Sequence, residues 1–268
     1  MRRQAMYSEY AGKTVVVTGA SSGIGEATAV ALHDLGAHVI AASRREPAVE
    51  TAGYVSLDLS DPASISAAAA AIDGDVYGLF NCAGAVPMLD PLDILKVNYL
   101  GTRLFTELLV DKMAPESAIA NVSSDAGYGW RKKLDLLLEF VAIPSFDAAA
   151  SWYSANEEAA GHAYTFGKEA LNVWSMQQSQ SLIKRGIRIN TTSPGAVQTP
   201  MLEAIEEEYS TDSITPVTVP SGRRSSPAEQ AGPLLFLNSS HASYVNGVDI
   251  VIDGGYWAGQ TLTGVYWD

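Results

Sequence analysis

"KTVVVTGASSGIGEATAVALHDLGAHVIAASRR", residues 13–45, sets a β-branched run, a Gly/Ser turn, an amphipathic stretch and a second apolar run in succession. That order predicts one βαβ unit, with hydrophobic periodicity switching from alternation to a helical repeat and back. Further short apolar runs follow at "YVSLDLS" (54–60), "VYGLFNCAG" (76–84), "AIANVSS" (118–124), "GIRINTTSPG" (186–195) and "VDIVIDGG" (248–255), with helical patterns in most of the gaps. Strands alternating with helices predict an α/β fold with a doubly wound parallel sheet, covered on both faces by right-handed crossovers. No repeat or low-complexity linker divides residues 1–268, and the alanine-rich "ISAAAAAI" (65–72) is simply a strong helix former. A single domain is expected.

The alternation breaks once. Residues 127–161, "GYGWRKKLDLLLEFVAIPSFDAAASWYSANEEAAG", read as one or two helices where a short loop would otherwise join strand to helix, which marks a helical insertion. Its aromatic residues Tyr128, Trp130, Phe140, Phe146, Trp152 and Tyr153 suit a substrate pocket, a subunit interface or the packing of the insertion onto its own domain.

Composition narrows the function classes. In 268 residues, 47% are hydrophobic, enough for a substantial core, and the formal net charge of -13 would repel nucleic acid and anionic membranes alike. The only cysteine, Cys82, excludes an intrachain disulfide and any multi-cysteine metal site, and the four histidines lack metal-ligand spacing, so no metal is expected. The start, "MRRQAMYSEYAGK", lacks the apolar core of a signal peptide, and no run approaches the roughly 18 apolar residues of a membrane span. A reducing, cytoplasmic setting with no membrane partner is the expectation.

Chemistry enters at "TGASSGIG". Gly19, Gly23 and Gly25, with Ser21, Ser22 and Ile24 between them, fall between the first strand and the first helix, where backbone N–H groups and the positive helix end would meet a dinucleotide's pyrophosphate. About 20 residues further on, an acid at the end of the second strand usually binds the adenosine ribose of NAD. Here the position is Ser43, followed by Arg44 and Arg45, and two guanidiniums suit the 2'-phosphate that a carboxylate would repel. NADP(H) is therefore expected in preference to NAD(H). In "AYTFGK" (163–168), at the start of a helical pattern, Tyr164 and Lys168 are four positions apart and share a face.

Together these motifs resemble the short-chain dehydrogenase/reductase family, over nearly the whole chain from about Lys13 to Gly255. "DLS" supplies Asp58 and Leu59, similar to the family's adenine contact. "NCAG" supplies Asn81, Ala83 and Gly84, with Cys82 where the family's "NNAG" has a second Asn. "KVNYLG" supplies Asn98 and "NVSSDAG" supplies Ser124, which with Tyr164 and Lys168 complete a catalytic tetrad. "NTTSPGAVQTP" resembles the segment over the nicotinamide, with Thr199 at the carboxamide-bonding position, although Thr199 also reads as a cap before Pro200. In classical members serine and tyrosine lie about a dozen residues apart. Here they are 40 apart, as in the branch containing bacterial 3α-hydroxysteroid dehydrogenase/carbonyl reductase and coniferyl-alcohol dehydrogenase.

The resemblance implies a Rossmann fold and hydride exchange between a nicotinamide cofactor and a bulky apolar alcohol or carbonyl compound. Tyr164 would be the base or acid, Lys168 together with the positive nicotinamide of the oxidised cofactor would favour tyrosinate and would bond the nicotinamide ribose, Ser124 would polarise the substrate oxygen, and Asn98 would support a water path. The other readings are an NAD-dependent oxidation of an aromatic alcohol and a non-catalytic cofactor-binding regulator. Glu203, Glu206, Glu207 and Glu208 read as the solvated face of a lid helix, and "GQTLTGVYWD", with Tyr266 and Trp267, as a pocket wall or partner contact. By family analogy a homodimer or homotetramer is expected, a dimer first.

Overall fold

The structure, a computed structural model, describes residues 7–210, 215–218 and 220–264. Among these, β1 (Thr14–Thr18), β2 (His38–Ser43), β3 (Gly53–Ser56), β4 (Gly78–Asn81), β5 (Ala118–Val122), β6 (Arg188–Pro194) and β7 (Asp249–Ile252) form one parallel sheet in the order β3-β2-β1-β4-β5-β6-β7. The strand order reverses direction beside β1, and such a switch point leaves a crevice at the carboxyl ends of the strands.

Alternation along β1 assigns the two faces. Val15 and Val17 face a core with Leu32 of α1 (Gly23–Asp34) and Leu234 of α11 (Pro227–Asn238). Val16 faces the opposite core, with Ile65 of α2 (Pro62–Ala71), Phe105 of α4 (Thr102–Leu109) and Trp174 of α8 (Ala163–Leu182). Successive strand residues point to opposite faces, so β-branched residues in a row serve both cores at once.

The predicted strands extend past the observed ones. β4 ends at Asn81 and β5 at Val122, and the residues that follow leave the sheet to build loops. Before α4 the chain runs through α3 (Pro91–Leu95) and a π-helical turn, Lys96–Gly101.

The insertion is helical, as expected: a 3-10 segment Asp125–Lys133, then α5 (Leu134–Val141), α6 (Phe146–Ala155) and α7 (Glu157–Ala160). Its aromatics do not line the central cleft, which corrects the pocket expectation. Phe140 and Tyr153 are fully buried; the Phe140 ring lies 5.0 Å from Phe166 of α8, 5.1 Å from Trp152 and 5.3 Å from Tyr99. Trp130 and Phe146 pack against the same core. The insertion therefore braces α8, and burying this ring cluster is worth more than leaving it at a pocket wall. Arg103 fastens it further by donating to the Val141 and Ile143 carbonyls at 3.1 and 2.9 Å. Tyr266 and Trp267 lie outside the described residues.

α9 (Pro200–Tyr209) follows β6, then the short α10 (Thr215–Thr218), and α12 (Tyr256–Leu262) follows β7. The glutamates of α9 are not uniformly solvated. Glu206 pairs with Arg224 and Glu203 accepts from Gln198 at 3.0 Å, so this helix is tied to the segment before α11. No described helix is long and apolar enough to cross a membrane.

Candidate active site

A cleft of about 640 Å³ opens at the carboxyl ends of the strands. Of the sequence-predicted site residues, Gly19, Ser21, Ser22, Gly23, Ile24, Ser43, Arg44, Arg45, Asp58, Leu59, Ala83, Gly84, Ser124, Tyr164, Lys168 and Thr199 line it.

The glycine loop suits close approach of a dinucleotide. Gly19 has φ +67°, and a Cβ there would lie 2.8 Å from the Ala83 Cα. Gly25 does not line the cleft; a Cβ on it would meet the Gly19 carbonyl oxygen at 2.3 Å, so only glycine lets α1 pack against the turn. Ser22 stands at the N-cap of α1 without a side-chain cap bond, which leaves first-turn N–H groups to face the cleft. This cradle fits a dinucleotide's pyrophosphate.

At the adenosine end Arg44 and Arg45 are exposed at the mouth. Ser43 is buried and its hydroxyl donates to the Arg45 carbonyl at 2.6 Å. The Asp58 carboxylate accepts from the Ser60 hydroxyl and N–H at 2.6 and 2.9 Å. Chiefly the Ser60 hydroxyl bond, with the nearby Arg44 charge, holds Asp58 below the usual carboxylate range despite the cost of burial.

Asn81 departs from its expected cofactor contact. Its side chain is buried away from the cleft, donating to the Thr106 hydroxyl at 2.9 Å and to the Asn121 amide oxygen at 2.7 Å, while Asn121 donates to Ser175 of α8 at 2.9 Å. Through its amide nitrogens this polar chain ties β4 and β5 to helices on one face. Cys82, its neighbour, does line the cleft, and burial pushes its thiol up to about 12.

Three of the four predicted tetrad residues, Ser124, Tyr164 and Lys168, meet in the cleft. Lys168 is buried and its ammonium donates to the Val122 carbonyl at 2.9 Å. Burial also lowers it from 10.5 to about 8. Asn98 lies in the π-helical turn and braces the loop after β4: its amide oxygen accepts from Ala85 N–H at 2.8 Å and its amide nitrogen donates to the Ala85 carbonyl at 3.3 Å. Asn98 does not line the cleft itself. Thr199 caps α9, accepting from Leu202 N–H at 3.3 Å, and also borders the cleft.

Tyrosinate is expected from Lys168 and the oxidised nicotinamide acting together, and the protein's own groups by themselves act the other way. The Lys168 nitrogen lies 5.8 Å from the ring centroid, yet burial pushes the Tyr164 hydroxyl up to about 12, the Asp125 charge adds to this, and only a hydrogen bond with Ser124 opposes it. The protein's own groups therefore favour the protonated Tyr164 hydroxyl at neutral pH.

Sequence reasoning passed over Asp125. It lines the cleft, and its Oδ1 accepts from the Ser124 hydroxyl and from Ala126 N–H, each at 2.9 Å. The signal was its place beside Ser124 in "NVSSDAG". Its main-chain carbonyl accepts from the Trp257 indole at 3.0 Å, and Trp257 stacks on Tyr128 with centroids 4.4 Å apart. Also missed were the apolar walls beyond the tetrad: Val86, Pro87 and Leu89 on one side, Met201, Ile205 and Val217 on the other.

Comparison with known proteins places this geometry in context. The family described as short chain dehydrogenase matches residues 13–133, and that described as enoyl-(acyl carrier protein) reductase matches residues 148–257. The chain is 34% identical to coniferyl-alcohol dehydrogenase of a Pseudomonas species, over 91% of this chain and 96% of that one. It is 32% identical to 3-alpha-hydroxysteroid dehydrogenase/carbonyl reductase of Comamonas testosteroni, over 90% and 95%. Among solved structures it is similar to a 3-alpha-hydroxysteroid dehydrogenase from Pseudomonas sp. B-0831 complexed with NADH, with a TM-score of 0.78, 27% identity, and 94% and 99% coverage.

Proposed function

Because the chain belongs to the short-chain dehydrogenase/reductase family of oxidoreductases, we propose that it exchanges hydride between NADP(H), in preference to NAD(H), and a bulky apolar alcohol or carbonyl compound such as a hydroxysteroid or an aromatic alcohol. The observation that carries this reading is the convergence of Ser124, Tyr164 and Lys168 in one cleft whose outer walls are apolar. When bound, the nicotinamide cofactor supplies a hydride-carrying carbon and, oxidised, a positively charged ring.

The chain's residues supply the rest. Tyr164 gives its proton to the substrate oxygen in reduction and takes the alcohol proton in oxidation. Ser124 lines the same cleft as Tyr164 and orients the same oxygen. The buried Lys168 ammonium, pinned by Val122, keeps a cation beside the tyrosine and in reach of a ribose hydroxyl. Pro87, Leu89, Met201 and Ile205 exclude water and favour apolar substrate surface.

Arg44 and Arg45 at the mouth, with no carboxylate at position 43, support NADP(H). A second reading, an NAD-using oxidation of a coniferyl-type alcohol, is favoured by the likeness to coniferyl-alcohol dehydrogenase. Turnover of steroids, cinnamyl alcohols and aromatic ketones with each cofactor in parallel, followed by nicotinamide absorbance, separates them: a preference for NAD of about tenfold or more removes the NADP(H) assignment. A homodimer in a reducing cytoplasmic setting completes the proposal, supported by family analogy and by the single cysteine, and light scattering tests the dimer.

A further inference from the structure

Ser124 carries one hydroxyl proton and two lone pairs, and every neighbour makes a claim on them. The proton goes to Asp125 Oδ1 at 2.9 Å, and one lone pair takes the Ala126 N–H at 3.2 Å. The serine has no second proton, and one lone pair is left on its oxygen for a further donor. In this arrangement the serine offers a substrate oxygen no donor. A carbonyl oxygen accepts hydrogen bonds only, so polarising it requires the serine proton to turn.

We propose that Asp125 is a positioning residue for Ser124: ionised, it captures the serine proton and holds it away from a substrate carbonyl; protonated, it donates to Ser124 Oγ and releases the serine O–H toward that carbonyl. No net proton is consumed, because the acid proton stays on Asp125 and the serine proton stays on Ser124. The inference rests on the reading of Ser124 as the group that orients the substrate oxygen.

The carboxyl is built to titrate in place. Its main chain is pinned by the Trp257 indole, on which Tyr128 stacks, and the carboxylate itself is held by the Ser124 hydroxyl and the Ala126 N–H. The titratable groups acting on it are Asp253 and Tyr256 from the segment after β7 and Tyr164 from α8, while Lys168 of α8 lines the same cleft and Arg131, Lys132 and Lys133 end its own 3-10 segment. Burial first, and the Asp253 charge second, raise Asp125 above the usual carboxylate range against the opposing bonds from Ser124 and Ala126.

The test is kcat/KM for reduction of the fastest ketone of the substrate panel, at saturating reduced cofactor, across the acid-to-neutral range. The wild type should show a one-proton inflection above which kcat/KM settles about tenfold lower or more. Asp125→Asn cannot ionise and its amide can donate to Ser124, so it should stay near the low-pH level throughout; a purely structural role would lower activity at every pH instead. Asp253→Asn removes a like charge and should move the inflection to lower pH without changing the low-pH level. If Asp125→Asn fails to bind cofactor, the Asp253→Asn shift decides alone. A wild type that reduces no ketone in the panel overturns the functional reading; one that reduces ketones without the inflection, an inflection that survives Asp125→Asn, or one that Asp253→Asn leaves in place overturns only the Asp125 inference.

Discussion

The Lys168 ammonium donates to the Val122 carbonyl at 2.9 Å, so the cation of the tetrad is fastened to the end of β5, on the strand that leads directly into Ser124. With the Ser123 hydroxyl donating to the Lys168 carbonyl at 3.1 Å, this bond ties the α8 pair to the serine segment. The catalytic assignment can be tested at Tyr164. Tyr164→Phe keeps the ring packing and deletes the proton, so turnover should fall by about 10²–10⁴-fold while cofactor binding, read by fluorescence quenching, is retained. Wild-type turnover in this variant would falsify the assigned acid and base.

Burial of Lys168 also predicts a stability change whose sign follows from its titration. The folded value is about 8 against 10.5 ordinarily, so between those pH values the unfolded chain holds a proton that the folded chain lacks, and stability rises with pH through that window. Lys168→Met should thus be inactive yet more stable than wild type near neutral pH, by about 1–3 kcal/mol, with the gap closing as pH rises from 8 toward 10.5. Urea denaturation at both ends of the window measures it, and a gap that widens with pH contradicts the burial argument.

Gly19 combines a left-handed φ of +67° with backbone neighbours that leave no room for a side chain. Gly19→Ala should cost about 1–3 kcal/mol and weaken binding of either nicotinamide cofactor. An alanine variant with unchanged thermal stability and cofactor affinity would show that the loop yields freely.

Phe140 links the insertion to α8 through Phe166. Phe140→Ala should lose about 3–5 kcal/mol by vacating a fully buried ring site, and its activity should fall at lower temperature than that of the wild type. Equal midpoints for loss of structure in the two proteins would argue that the insertion does not brace the helix.

Arg44 and Arg45 lie exposed at the mouth, where salt screens them. Replacing both with Ala should raise KM for NADP by about tenfold or more and leave KM for NAD within about twofold, the difference shrinking in high salt. Parallel losses for both cofactors would mean that the arginines do not read the 2'-phosphate.

Much of this protein was legible in the sequence because the signals are local. The alternation of strand and helix, the glycines of residues 19–25 and the i, i+4 spacing of Tyr164 and Lys168 each follow from backbone geometry within a few residues. Even the long separation of Ser124 from Tyr164 could be read as an insertion. What the insertion does could not, since an aromatic side chain suits a core, a pocket or an interface equally well, and only the meeting of Phe140 with Tyr99 and Phe166 selects the core. The same holds for Asn81, whose amide found partners on β5 and α4.

The sequence by itself determined the fold and the reaction class, and it set Tyr164 and Lys168 on one face of the "AYTFGK" helix. Tertiary structure decided their electrostatics, because desolvation depends on every residue packed around a group: it pushes Tyr164 up to about 12, lowers Lys168 to about 8, and raises the Asp125 carboxyl above the usual carboxylate range.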